Sequence, residues 1–350
     1  MDGYEYLNAR VRGRASRFLP REFFEQALSA DGLNAVIDAL LSSPYAAALK
    51  DGLSASRLVS SVESVLRRDI TLCFAELRGM TPPGVLGLLD IQLGRWDLAN
   101  ILTIVRGKTT EADRERIMAC MLPAGQLQEA RLAELAAEPD AKSVAASLAT
   151  GSYTFAHELR ESINRISGPR ELPGLELEML RIYFCWALRM LAGRDPNRAI
   201  VLSMVRREID LANIRAALDR VYYGEHGEKP EAVMPIPGGY LSDAFITDLG
   251  ESPDLERAFG SLEQSWLAPA VEQGILAFGE RRSRAVMERF LEAVLIRLGC
   301  ALFRGDPLGI AVPLGYIWRK HGEYLNLRVL LRGKAHGRPR NSIREALVYA

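Results

Sequence analysis

The chain repeats itself at long range. Asp97-Leu98-Ala99-Asn100-Ile101 returns as Asp210-Leu211-Ala212-Asn213-Ile214 and, more loosely, as Glu323-Tyr324-Leu325-Asn326-Leu327. The asparagines stand at 100, 213 and 326, two equal intervals of 113 residues. One five-residue match can arise by chance; equal spacing across three copies is far harder to reach that way. The period exceeds the roughly 20–50 residues of a solenoid repeat, so each copy is large enough to be a small domain. The repeat predicts three units, 1–119, 120–233 and 234–350.

Other landmarks keep the same phase. Pro83, Pro196 and Pro307 lie upstream of the asparagines and are read as helix openers, because the first turn of a helix tolerates a missing N–H. Further upstream are long amphipathic stretches, Leu58 to Leu77, Leu175 to Leu191 and Ala285 to Leu302. In the second, Leu177, Leu180, Ile182, Tyr183, Trp186 and Met190 recur at helical intervals. Each unit begins at Leu19-Pro20, Leu122-Pro123 or Ile236-Pro237, continues through two short helical patterns, and reaches an aromatic at Tyr45, Tyr153 or Trp266. Runs that alternate like strands are scarce, and the Asp-Gly pairs sit beside helical patterns. The expected fold is all-α, with a linker at Gly224–Gly239 and a last short helix opened by the capping-box pattern Ser342-Ile343-Arg344-Glu345.

Charge and cysteine usage narrow the function. Lysine plus arginine equals aspartate plus glutamate at 44 each, a poor balance for a nucleic-acid binder or a polybasic membrane surface. No apolar run reaches the roughly 20 residues of a membrane span, and Met1 to Arg14 lacks the hydrophobic core of a secretory signal. Cys73, Cys120, Cys185 and Cys300 are far apart without a CxxC pair, which points to a reducing cytoplasm and no structural zinc.

The acidic-x-x-Asn pairs Asp97/Asn100, Asp210/Asn213 and Glu323/Asn326 each lie on one helix face, which admits a catalytic reading. The architectural reading is favoured, since an active site has little use for three copies of one pair. It casts the acidic residue as a cap near a helix start, with the asparagine bonding neighbouring backbone in the first turn. Arg106-Gly107-Lys108-Thr109 looks like the end of a phosphate loop but lacks the earlier glycine, Leu102 standing there instead. Its recurrence as Arg332-Gly333-Lys334 suggests a basic helix end with a left-handed glycine cap, a pattern lost at Asp219-Arg220-Val221. Cys73, Cys185 and Cys300 recur in the long stretches and fit small core residues better than a metal or redox cluster. His157, His226, His321 and His336 have no ligand spacing. The arginine-rich runs 10–17, 281–289 and 328–340 are solvated faces or carboxylate-pairing surfaces. No catalytic residue, cofactor or metal is expected.

With these landmarks in place, Tyr4-Glu5-Tyr6-Leu7-Asn8-Ala9-Arg10-Val11-Arg12 resembles the opening of the C subunit of V/A-type ATPases, the family that includes the eukaryotic d subunit. Trp96-Asp97-Leu98-Ala99-Asn100-Ile101 is similar to the family's first unit. The third unit carries the most specific match, through Asp306-Pro307-Leu308, Val312-Pro313-Leu314-Gly315-Tyr316-Ile317-Trp318-Arg319-Lys320, Asn326-Leu327-Arg328 and Arg332-Gly333-Lys334. The resemblance implies a funnel of three similar helical domains about a pseudo-threefold axis with a central cavity. It also implies a non-catalytic, cytoplasmic, membrane-peripheral subunit, present once per complex and monomeric alone, that joins the shaft subunits D and F to the proteolipid ring. Nucleotide and nucleic acid are not expected partners. Two other classes stay open: a generic helical scaffold, and an enzyme with a deep pocket of paired, pKa-shifted groups.

Overall fold

The computed structural model describes residues 3–52, 58–151, 153, 156–165, 168–228, 230, 234–271 and 284–349. Met1, Asp2, Arg281 and Arg282, used in the sequence reading, lie outside them, as do positions 229 and 231–233 of the linker. The described residues form helices joined by turns and contain no strand, in agreement with the all-α expectation.

In chain order the helices are α1 (Tyr4–Ala15), α2 (Arg21–Ser29), α3 (Gly32–Leu41), α4 (Ala46–Gly52), α5 (Val59–Met80), α6 (Pro83–Thr109) and α7 (Arg114–Cys120). There follow α8 (Glu129–Ala137), α9 (Ala141–Thr150), α10 (Ala156–Asn164), α11 (Leu172–Met190) and α12 (Pro196–Glu225). The last are α13 (Asp243–Gly250), α14 (Leu255–Ser261), α15 (Arg284–Ala301), α16 (Ala311–Ala335) and α17 (Arg340–Glu345). The three amphipathic stretches thus appear as α5, α11 and α15, and each leads into one of the long helices α6, α12 and α16. In α11 the buried stripe is Leu175, Met179, Tyr183 and Ala187, whereas Met190, placed by the periodicity on that face, is 51% exposed.

Proline opens α6 and α12, since Pro83 and Pro196 are their first residues. Pro307 does not open α16; it lies in the preceding turn, where Asn8 Nδ2 donates to the carbonyls of Pro307 (2.6 Å) and Gly309 (2.9 Å). Asp195 caps α12 by accepting from the Arg198 amide. The expected linker is shorter than its composition suggests, because α12 continues through Glu225. Ser342 lies inside α17, whose N-cap is Pro339, so the capping-box reading of that helix is not what the structure shows.

The chain divides into two compact units. One contains residues 1–96, 122–126 and 296–350; the other contains 97–121 and 127–295. In the first, α16 packs against α1, α3 and α5, and α17 packs against α2, so the C-terminal helices complete an N-terminal core. Of the 25 residues of α16, 18 are buried, including Trp318 and His321. A helix with so many sides covered must be approached closely, and small residues permit it. A Cβ on Gly315 would stand 2.2 Å from the Phe303 backbone nitrogen, and one on Gly299 2.0 Å from the Trp318 ring. In the second unit, α12 packs against α11, α13 and α14, and α9 against α10.

Candidate functional site

The acidic-x-x-Asn pairs are not at helix starts. Asp97 and Asn100 lie within α6, Asp210 and Asn213 within α12, Glu323 and Asn326 within α16. All six are buried, with exposures of 0–7%. A buried carboxylate needs donors, and a mid-helix residue cannot take them from its own helix, whose amides are already engaged. The donors come instead from the front of the next copy.

The geometry recurs in three places. Asp97 Oδ1 accepts from the Leu127 amide at 3.1 Å. Asp210 accepts from the amides of Tyr240 and Leu241, both at 3.1 Å, and from Trp266 Nε1 at 2.7 Å. Glu323 accepts from the Leu19 amide and from the Tyr45 hydroxyl, both at 2.6 Å. Leu127, Leu241 and Leu19 each stand two residues before a short helix: α8 at Glu129, α13 at Asp243 and α2 at Arg21. For Asp210 and Glu323 the aromatics noted from the sequence are the other half of the contact. In the first junction the half-buried Tyr153 feels the Asp97 charge, and desolvation, reinforced by that charge, pushes its phenol well above the ordinary value. Copy one thus holds the front of copy two, copy two the front of copy three, and copy three the front of copy one.

The asparagines hold the chain beside the carboxylates. Asn213 donates to the Ile236 carbonyl (2.9 Å) and accepts from its amide (2.8 Å), the pairing a neighbouring strand would make. Asn326 does the same with Val348, both bonds at 2.8 Å. The proline-rich linker is therefore anchored by Asn213 and Asp210. Gly239 belongs to this anchor: a Cβ there would lie 2.0 Å from Asp210 Oδ1, so only glycine lets the backbone reach the carboxylate.

The Arg-Gly-Lys segments correct the sequence reading in the same direction. Gly107 and Gly333 lie inside α6 and α16 and have no left-handed backbone; the residues that do are Glu111 (φ 56°) and Gly337 (φ 62°), beyond the helix ends. The two glycines are notches for the following short helix. A Cβ on Gly107 would be 2.4 Å from Ile117 of α7, and one on Gly333 2.6 Å from Ile343 of α17. The lysines reach forward to the next copy. Lys108 Nζ donates to the Ala136 carbonyl (2.7 Å) at the end of α8, and Lys334 Nζ to those of Leu28 (2.8 Å) and Ala30 (2.5 Å) at the end of α2. Each ammonium meets the negative end of a helix dipole. In the copy that lost the pattern, Arg220 pairs instead with Glu251, just after α13, at 2.8 Å.

The third latch differs from the others in charge. Lys320 Nζ lies 2.7 Å from Asp69, 3.2 Å from Glu323 and 2.8 Å from the Tyr45 hydroxyl, and 4.7 Å from the Tyr45 ring centre. The Tyr45 hydroxyl accepts from Lys320 and donates to Glu323, so Lys320, Tyr45 and Glu323 form a closed polar ring, with Asp69 paired to the Lys320 ammonium. Burial lowers the Lys320 pKa, but the charges of Glu323 and Asp69 outweigh it and leave the group above its ordinary value. Burial likewise drives the Tyr45 phenol well upward, and the two carboxylates add to that. A cavity of about 80 Å³ adjoins this cluster, lined by Arg14, Arg17, Tyr45, Asp69, Cys73, Tyr316 and Lys320 among others.

The latches are a poor basis for acid–base chemistry. A general base needs an open lone pair near a substrate, whereas Asp210 and Glu323 have both oxygens occupied by protein donors. Each pair serves its own junction. The cysteine reading holds in part: Cys300 is buried, with its thiol pushed up to about 12 by burial, Cys73 and Cys185 are half-buried, and Cys120 is exposed. Within the arginine runs, Arg14 pairs with Glu76, Arg284 with Asp219 (2.7 Å) and Arg332 with Glu63 (2.8 Å). No described helix is long and apolar enough to cross a membrane.

The latch partners on the front segments were missed by the sequence reading as partners, although a signal exists. The spacing from Leu19 to Tyr45 and from Leu127 to Tyr153 is 26 residues, and from Leu241 to Trp266 it is 25. Nearly equal spacing is what a repeated junction requires.

Comparison with known proteins covers nearly the whole chain. The family model for the ATP synthase (C/AC39) subunit matches residues 7–346. The C subunit of the A-type ATP synthase of Methanosarcina barkeri is 26% identical over 360 aligned positions, covering 99% of this chain and 92% of that protein. Its counterpart in Methanocaldococcus jannaschii is 21% identical, covering 99% and 86%. The C subunit of the V-type ATP synthase of Deinococcus radiodurans is 23% identical, covering 98% and 90%. On a match that leaves out only the chain's ends, the protein belongs to the ATP synthase (C/AC39) subunit family.

Proposed function

We propose that this chain is the non-catalytic connecting subunit of a V/A-type rotary ATPase, seated on the cytoplasmic face between the shaft subunits D and F and the membrane proteolipid ring. In this reading the units 1–119, 120–233 and 234–350 stand about a pseudo-threefold axis as a funnel, the shaft end enters the central cavity, and the opposite rim meets the ring. One copy serves each complex, and the free protein is a monomer.

The observation that carries the reading is the junction from copy three back to copy one. Three copies joined only in a row would leave the first front and the last long helix without partners. Here Glu323, Asn326 and Lys334 hold the N- and C-terminal segments by the same kinds of contact that join the other copies. Closed handoff of this kind is what a cyclic body requires, and a cyclic body can receive an axial shaft. Torque transfer requires a connector that does not yield. Buried, hydrogen-bonded junctions in a dense helical body supply that stiffness. Family membership and relatives named as ATP synthase subunits support the complex in which it works.

The test is an affinity purification of the tagged chain from native membranes, with mass identification of its companions. Recovery of the shaft and ring subunits supports the proposal. Recovery of an unrelated set of proteins without any part of an ATPase would replace it with the generic-scaffold reading.

A further inference from the structure

The three junctions are chemically alike but differ in connectivity. The chain itself ties copy one to copy two and copy two to copy three, whereas only non-covalent contacts tie copy three to copy one. We propose that this last junction is an exchange surface for a second copy of the same chain: the C-terminal segment from Asp306 onward can seat in the N-terminal socket of another molecule, giving a reciprocally exchanged dimer.

Four features support this occupant. The segment is a self-contained key, since α16 buries 18 of its residues and α17 follows it into the same core. Its polar side chains fit one socket chemistry: Glu323 takes the Leu19 amide and the Tyr45 hydroxyl, Lys320 pairs with Asp69, Lys334 takes the carbonyls of Leu28 and Ala30, and Arg344 pairs with Glu25. A key withdrawn from its socket leaves Lys320 and Glu323 with each other but without Asp69, Tyr45 and Leu19. Withdrawal also exposes the apolar residues of α16 to water, and an identical socket on a neighbour restores every contact. Finally, the key hangs on the short turn from Gly305 to Ile310, a single hinge whose opening would release the whole segment.

Asn8 is the restraint on that hinge. Its amide donates to the carbonyls of Pro307 and Gly309, fixing the turn in the form that folds the key back onto its own chain. Closure within one chain is favoured by effective concentration, so the closed monomer is the dilute form. The exchanged dimer forms when chains fold close together, and it persists because reopening must break the whole junction.

The experiment uses two versions of the full chain, both with Cys120→Ser, one also carrying Glu25→Cys and the other Arg344→Cys. They are co-expressed with different tags, purified through both tags, and treated with a short bis-maleimide. Neither version contains both new thiols, so a Glu25→Cys to Arg344→Cys link joins two chains across an exchanged junction. The expected result is a doubly tagged dimer carrying that link, increased several-fold by Asn8→Ala and by higher protein concentration during refolding. Chains without the added cysteines set the background. Doubly tagged dimers without the mixed link would show surface association and overturn the proposal. So would recovery of only monomers from co-expression and from refolding at every concentration.

Discussion

Trp266 donates its indole N–H to Asp210 at 2.7 Å across 56 residues of chain, so a carboxylate in the middle of one long helix fixes the front of the following copy. Trp266→Phe keeps most of the ring and removes the donor; the loss expected is about 1–2 kcal/mol of stability. Gly239→Ala is expected to cost more, because the backbone that donates to Asp210 would have to move away. Urea unfolding of both variants against the wild type measures the two effects.

Asn213 makes two backbone-like bonds to Ile236 and is buried. Asn213→Ala leaves both Ile236 groups without their partner and is expected to destabilise the chain by about 2–3 kcal/mol. If the pair is architectural, the melting temperature falls while affinity for the shaft subunits, measured well below the melt, is retained. A normal melt with abolished binding would assign the residue to the partner surface instead.

Gly333 and Ile343 offer a packing test. Gly333→Ala is expected to destabilise by about 1–3 kcal/mol through overpacking, since the new Cβ would lie 2.6 Å from the Ile343 side chain. Adding Ile343→Val to it should return part of the loss. A left-handed cap would respond differently, with no rescue from a change at position 343. Thermal melts of the two single variants and the double variant decide it.

Much of the architecture was legible in the sequence because it is written as periodicity. The amphipathic stretches became α5, α11 and α15 within a few residues, and Pro83 and Pro196 opened the helices they were expected to open. What could not be read locally was the direction of the contacts. Asp97, Asp210 and Glu323 look like helix-start caps because capping is the commonest local use of an acidic residue beside a helix. Yet the helices run through them, and their donors lie 30 residues onward or, for Glu323, at the opposite end of the chain. Gly107 and Gly333 were misread for a similar reason. Between basic residues a glycine suggests a terminus, and only the position of Ile117 and Ile343 reveals a notch.

Lys320 ties the third junction to pH. Its folded pKa lies above the ordinary 10.5, so its contribution is fully present below that value and is lost as pH rises through the folded value. The Tyr45 phenol, also raised, loses stability on the same alkaline side. Lys320→Met is expected to cost about 3–5 kcal/mol at neutral pH, leaving the buried Glu323 and the half-buried Asp69 without their cation. The variant should also show a shallower decline of stability above the ordinary lysine value. Denaturant titrations at neutral and strongly alkaline pH compare the two slopes.

The account rests most on the closure of the chain upon itself, and a double-mutant cycle on Tyr45 and Glu323 tests it most directly. The two residues are 278 positions apart and share a 2.6 Å hydrogen bond. Stability is measured for Tyr45→Phe, Glu323→Gln and the double variant. The closed handoff predicts a coupling of about 1–3 kcal/mol between them. Additivity within about 0.3–0.5 kcal/mol would mean that the two ends of the chain do not meet there, and would contradict the closure.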